Sequence, residues 1–349
     1  MEVLGEANTI ALIGLLGGIA LGLAARLGRF CTLGAIEDYL YGADPRRMGM
    51  WGVSVGVAII GTQVLLGTAF VEGSDVAYLS RAWNPLSTVI GGLLFGYGMA
   101  LTGNCGYGAL ARLGGGDLRA FVIVLVMGLS AYFVMSGPLA HLRVMLFPVV
   151  QSSDTSQGLA QLLGDFGVAP WVVGIVAGAI IVLASLRTAR GKPFQSYALW
   201  GALVGLAITS GWVGTHWVAT VGFDGETIRT HTFAAPVGDT IFYSMTASGN
   251  TVSFSVGSVV GVIIGAAFGS MFKKQFRWEA CEDPRELKRQ IFGAALMGVG
   301  AILAVGCSVG QGIAAFSVLA YSAPVTLIAI FCGAAFGLRQ LITGFKVAP

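Results

Sequence analysis

Three of the five cysteines in this chain share one frame of glycines. Gly17, Gly22, Cys31 and Gly34 recur with the same spacing as Gly91, Gly96, Cys105 and Gly108, and again as Gly293, Gly298, Cys307 and Gly310. Cys281 and Cys332 have no glycine at any of those offsets. A thiol is a weak hydrogen-bond donor on a soft, polarizable atom. At the start of a helix it stands beside free backbone N–H groups and the positive end of the helix dipole, where anions are favoured. Gly103 and Gly106 around Cys105, and Gly306 before Cys307, let a ligand approach those amides closely. The combination suits an anion with a soft, sulfur-containing end. With a reference pKa of about 8.5 the thiol stays mostly protonated at neutral pH and donates S–H to such an anion. A thiolate would repel it, and a helix N terminus lowers the thiol pKa, so the balance is narrow.

Other thiol chemistry fits less well. Structural zinc takes four ligands with close pairs such as C-x-x-C, and the sequence has no such pair, so neither a metal nor another cofactor is expected. A cysteine nucleophile needs a basic partner, and none is visible beside the thiols. The three histidines, His141, His216 and His231, fall in segments read as outer loops, with a role in surface structure. Cys281, in the basic stretch Lys273 to Arg289, and Cys332, inside an apolar run, read as ordinary small residues outside the site. Arg112 follows Cys105 by seven residues and either draws an anion to the inner mouth or is an ordinary basic residue of a cytoplasmic loop. Arg29, two residues before Cys31, has the same two readings.

The elements that must hold these thiols lie in a bilayer. Apolar residues make up 55% of 349 positions and charged residues 11%, with a mean hydropathy of +0.80, the composition of an integral membrane protein. A net charge of +3 without a basic stripe argues against nucleic-acid binding. A span needs roughly 20 apolar residues to cross about 30 Å of hydrocarbon. Nine stretches qualify, at residues 8–26, 49–71, 85–103, 120–138, 169–186, 196–214, 252–272, 290–306 and 323–343. With the N terminus outside and the C terminus cytoplasmic, 15 basic residues fall in cytoplasmic segments, and only Arg81, Arg143 and Arg229 fall outside.

An odd fifth span, in residues 165–190, inverts the second half of the chain (195–349) relative to the first (1–143). Cys105 after span three then answers Cys307 after span eight, a plan common among transporters. Cys31 has no cysteine twin, because the matching region after span six reads Ser210, Gly211, Trp212, Val213, Gly214. Short apolar pieces after each thiol, Thr32 to Tyr41, Gly106 to Leu113 and Ser308 to Tyr321, predict re-entrant or broken helices beginning at the thiols. The polar outer segment from Asp224 to Asn250 is expected to fold as a lid. The fold class is therefore an all-α integral membrane protein of about nine transmembrane helices plus short re-entrant helices in two inverted-topology repeats.

The stretches Arg29-Phe30-Cys31-Thr32-Leu33-Gly34-Ala35-Ile36, Gly103-Asn104-Cys105 leading to Leu110-Ala111-Arg112-Leu113-Gly114, and Gly306-Cys307-Ser308-Val309-Gly310-Gln311-Gly312 resemble the YeeE/YedE sulfur-transport family. Phe276-Arg277-Trp278-Glu279 is similar too, and the resemblance covers nearly the whole chain. It implies a multi-pass bacterial inner-membrane protein of hourglass shape that takes up thiosulfate. The family's three path cysteines map onto Cys31, Cys105 and Cys307; Asn104, Arg112, Ser308 and Gln311 inside the matching stretches join the candidate set. It also implies a TusA-like cytoplasmic sulfurtransferase as partner, and leaves open which sulfur or selenium anion is carried.

Uptake of thiosulfate or a related anion, without enzymatic turnover, is thus the expected function. The chain has no G-x-x-x-x-G-K-[ST] phosphate loop to supply ATP drive. Intramembrane acids suited to proton coupling are scarce, with Glu37 and Asp38 beside Cys31 as the exceptions. Two other readings stand beside it. One is a membrane redox or sulfur-relay protein that exchanges its thiols with a persulfide or disulfide, which requires two thiols within disulfide range; thiols stacked along a channel would be farther apart. The other is a structural scaffold in which the glycines serve packing alone.

Overall fold

All nine apolar stretches fold as helices in a computed structural model, which describes residues 5–148, 157–164, 169–188, 192–223, 225–280 and 283–344. They are α1 (Glu6–Leu27), α3 (Arg46–Gly67), α5 (Pro85–Thr102), α7 (Leu118–Met135), α10 (Pro170–Thr188), α11 (Lys192–Val221), α13 (Phe254–Phe272), α14 (Pro284–Leu303) and α15 (Ser322–Thr343). Shorter helices lie between them: α2 (Thr32–Leu40), α4 (Ala77–Ser80), α6 (Gly106–Gly114), α8 (Ala140–Leu146), α9 (Leu159–Gly164) and α12 (Ala235–Thr246). The described residues contain no strand, only two isolated bridges between loops. Eight helical stretches are long and apolar enough to cross a membrane. The remaining one, α14, carries Arg285, Glu286, Lys288 and Arg289 in its first turns and becomes apolar only from Ile291 onward. The molecule is a multi-pass, all-α membrane protein.

Glycines decide which helices touch. Along the crossing of α1 with α13, a Cβ added to Gly14, Gly18 or Gly22 would lie 2.4, 2.3 or 2.3 Å from the carbonyl oxygens of Phe254, Ser258 and Val262. The partner helix answers in kind, since a Cβ on Gly257, Gly261 or Gly265 would meet the carbonyls of Ala11, Leu15 and Ile19 at 2.0 to 2.3 Å. Both runs step by four residues, so one small stripe lies on another and the backbones come together. Other close pairs are α3 with α10 and α11, α5 with α14 and α15, and α7 with α14 and α12.

The expected boundary at residue 214 is wrong by nearly two turns. The α11 helix continues through Gly211 and Gly214 to Val221. Those glycines are helix-interior contact points: a Cβ on Gly211 would meet Thr230 Oγ1 at 2.3 Å, and one on Gly214 would meet Ile13 at 2.4 Å. The region expected to mirror the Cys31 turn is therefore helical, and a later segment takes that place.

The three short pieces begin where the thiols predicted. Cys31 immediately precedes α2, Cys105 immediately precedes α6, and Cys307 precedes helical residues 308–317, which include a π-helical turn at Gly310–Ala315. Two residues before each thiol the backbone turns left-handed, at Arg29 (φ 57°), Gly103 (φ 75°) and Val305 (φ 56°). Only glycine adopts that region freely, and for β-branched Val305 it is a strained conformation. A left-handed residue ends each span and redirects the chain so that the cysteine caps the next helix.

A candidate anion path at three helix starts

Each cysteine sits at the N-terminal cap, where backbone N–H groups lack helical partners. Cys105 Sγ accepts from the amide of Gly108 at 3.3 Å. Cys307 Sγ accepts from Gly310 N at 3.4 Å and from Phe233 N at 3.4 Å, and it lies 3.6 Å from the Thr232 hydroxyl. The sulfurs of Cys105 and Cys307 thus do the capping that Ser or Asp oxygens usually do, while Cys31 holds the cap position of α2 without a side-chain cap bond. Cys105 and Cys307 are buried and Cys31 partly so; all three are free thiols.

The three helix starts meet. Cys31 Sγ is 3.9 Å from Cys105 Sγ. The next residue, Thr32, donates its hydroxyl to Ser308 Oγ at 2.9 Å, joining the Cys31 turn to the Cys307 turn. The separation expected of thiols stacked along a channel does not hold for Cys31 and Cys105, because both caps turn inward on one point. Thr232 stands to Cys307 as Cys31 stands to Cys105, a hydroxyl in place of a thiol.

Thr232 belongs to the outer segment expected to form a lid, and part of that segment is core. His231 and Phe233 are fully buried and Thr230 nearly so. His231 Nδ1 lies 2.6 Å from Ser258 Oγ, and its Nε2 faces Gly17, where a Cβ would be only 2.2 Å away. His231 is thus packed under the site rather than exposed. The ring of His216 is half-buried against Phe70, 4.6 Å between centroids, and only His141 is at the surface.

A run of aromatic rings connects the Cys31 turn to the segment that meets Cys307. Trp51 stacks on Phe30 at 4.9 Å, Phe30 meets Tyr107 edge-on at 6.2 Å, and Tyr107 reaches Phe233 at 5.2 Å. Tyr107 is held by donating its hydroxyl to the Leu21 carbonyl. Trp51 Nε1 and Asn104 Oδ1 are buried without a partner among the described residues, and such groups are costly unless something else bonds them.

Below the thiol pair opens a cavity of ≈ 300 Å³ whose wall includes Cys31 and five cations: Arg26, Arg29, Arg47, Arg112 and Lys273. Glu37 is the one carboxylate among the described residues of its wall. Burial first, and then the neighbouring Arg29 and Arg26, hold the Lys273 ammonium below its ordinary pKa. Arg47 pairs with Asp38 at 3.0 Å and donates to the Arg29 carbonyl at 3.1 Å, so it is fixed across the Cys31 turn. A second cavity, of ≈ 340 Å³, shares Glu37, Gly103, Asn104 and Arg112 with the first. Its charges balance, with Arg112, Arg119 and Arg289 against Glu37, Asp117 and Glu286. Only the first cavity has the surplus positive charge that concentrates anions.

The sequence candidates separate accordingly. Arg112 and Asn104 stand where the two cavities join. Ser308 is the hydroxyl that ties two caps together. Gln311 donates to the carbonyls of Ala304 and Val305 at 2.8 and 3.1 Å and accepts from Ser322 at 3.0 Å, so it braces the turn before Cys307. Cys332 is exposed on α15, and Cys281 lies outside the described residues. Sequence reasoning missed Thr232, Trp51, Arg47 and Lys273, none of which is in a cysteine frame.

Gly108 completes the geometry: a Cβ there would lie 3.3 Å from Cys31 Sγ and 3.5 Å from Cys105 Sγ. Those distances are tight without being a backbone clash. Gly108→Ala is therefore expected to fold with a melting temperature within a few degrees of wild type. A methyl group would then occupy the space in front of both thiols, and anion flux past them should fall about tenfold, the effect of roughly 1.4 kcal/mol on a barrier. Unchanged uptake would show that nothing passes there.

A model of a family described as sulphur transport matches residues 27–336. The thiosulfate transporter TsuA of Spirochaeta thermophila is 26% identical over 332 residues, covering 92% of this chain and 96% of that protein. The thiosulfate transporter TsuA of Escherichia coli K12 is 23% identical over 342 residues, covering 93% of each chain.

Proposed function

This chain belongs to the sulphur-transport family, and we propose that it takes thiosulfate, or a closely related sulfur anion, into the cytoplasm past Cys31, Cys105 and Cys307. One observation carries the reading. Three cysteines at helix starts converge through the Cys31–Cys105 contact and the Thr32–Ser308 bond, and Cys31 opens onto a cavity walled by five cations. The anion's charged oxygens meet backbone amides and the unpartnered Trp51 N–H, while its terminal sulfur accepts S–H bonds from the thiols. Relatives named as transporters rather than enzymes favour passage over turnover.

The route runs from Cys307 on the outer side to Cys31 on the cytoplasmic side, in a bacterial inner membrane with the N terminus outside and the C terminus inside. Residues 1–143 and 195–349 form inverted halves around a linking span at 165–190. The packing of α1 on α13, answered by that of α11 on α3, supports this exchange. A cytoplasmic sulfurtransferase of the TusA kind, docking at the basic cavity, would remove the sulfur and draw uptake forward.

Competition in cells expressing the chain tests the substrate. Unlabelled thiosulfate should displace labelled thiosulfate, whereas sulfate, of equal charge but without a soft terminal sulfur, should need at least about tenfold more, equivalent to roughly 1.4 kcal/mol. Equal competition by sulfate would overturn the soft-sulfur reading.

A further inference from the structure

The closest contact between sulfurs in the site joins a partly exposed thiol to a fully buried one, beside a cavity that concentrates anions. We propose that Cys31 and Cys105 act as a two-electron dithiol site that reduces sulfur–sulfur-bonded dianions of the polythionate class, and that the resulting disulfide closes the path. The closure rests on the transport reading given above, while the reduction does not.

Two sulfurs 3.9 Å apart leave no room for an ion between them, so conduction requires the pair to part. A disulfide bond of about 2.05 Å requires them to approach by a side-chain rotation instead. Among the described residues Cys307 has no such mate, since its neighbours are a hydroxyl and backbone amides. Cys332 is a free thiol exposed on α15. The thiols also divide the work by exposure: Cys31 lines the cationic cavity, and fully buried Cys105 lies directly behind it.

Exchange proceeds through a mixed disulfide. With tetrathionate, the Cys31 thiolate attacks one of the two inner sulfurs. The central S–S bond breaks, one thiosulfate leaves, and Cys31 carries an –S–SO3− group. Cys105, deprotonated in turn, attacks the Cys31 sulfur; the Cys31–Cys105 disulfide forms and a second thiosulfate leaves. Two thiols are oxidised, tetrathionate is reduced to two thiosulfates, and two protons go to the cavity water. A small dithiol of the cytoplasm then reduces the Cys31–Cys105 disulfide, becoming a disulfide itself as it restores both thiols.

The test uses full-length protein in liposomes, in a Cys281→Ser, Cys332→Ser background, treated with tetrathionate. Two thiosulfates should be released per protein, mass spectrometry should find one peptide linked through Cys31 and Cys105, and uptake should fall at least tenfold and return with dithiothreitol. With Cys105→Ser added, the reaction should stop at the –S–SO3− adduct on Cys31 after one thiosulfate. Absence of the linked peptide, with Cys332 of the wild type modified in parallel, would overturn the proposal. A linked peptide with undiminished uptake would overturn closure. A linked peptide in a chain that carries no thiosulfate would support the reduction and refute the transport reading.

Discussion

Alanine in place of Cys105 is expected to lower labelled-thiosulfate uptake by about 10- to 100-fold while the protein still folds. A hydrogen bond to a charged partner contributes roughly 1.5–3 kcal/mol, and each 1.4 kcal/mol is about a factor of ten in rate. Cys105 is fully buried, caps α6 through the Gly108 amide and touches Cys31, so on the proposed path its loss removes the S–H partner of the anion. Losing the cap should cost about 1 kcal/mol of stability, a melting shift of a few degrees that circular dichroism separates from loss of transport. Serine keeps a donor on a harder, smaller atom, and its uptake should lie between alanine and wild type. Cys332→Ala, on the exposed face of α15, should transport normally.

Gly257→Val should prevent the protein from assembling at all. The added Cβ would lie 2.0 Å from the Ala11 carbonyl oxygen and 2.8 Å from its carbon. Both are backbone atoms of α1, with no side chain to swing aside. Accommodating the group means separating α1 from α13 and losing the contacts of Gly261 and Gly265 below it. Overpacking by side-chain groups typically costs about 1–3 kcal/mol, and a collision with backbone lies at or beyond the upper end. Size-exclusion chromatography in mild detergent should show aggregate in place of a single peak. Gly249→Val, at a loop position whose Cβ would have only the Thr246 carbonyl at 4.0 Å, should elute as wild type. A monodisperse Gly257→Val protein would mean that the α1–α13 stripe does not hold the fold together.

Much of this arrangement was readable in order of residues. Hydropathy located all nine long helices, since a bilayer demands length and apolarity from each span by itself. The glycine frame picked out the thiols at helix starts because helix, left-handed turn and new helix form a local motif within 18 residues, set by backbone geometry. What escaped was whatever the thiols meet. Thr232 reaches Cys307 from 75 residues away, and Arg47 and Lys273 approach the Cys31 turn from α3 and the end of α13. His231 was misread because its segment is polar on average, while the residue itself is sheltered by Gly17 and Ser258. The end of α11 was misplaced for a related reason. In a soluble helix Gly211 and Gly214 would signal an ending, whereas in lipid they are where a neighbour comes close. Cys31 and Cys105 were each identified, but no spacing says that two caps 74 residues apart point at each other.

The central claim is that sulfur passes by way of these thiols, and flux through purified protein tests it most directly. Wild-type chain in liposomes should carry labelled thiosulfate saturably, as should Cys332→Ala. The Cys31→Ala, Cys105→Ala, Cys307→Ala protein, shown to be folded by its melting curve, should carry no more than empty liposomes. Wild-type flux through that triple variant would contradict the account.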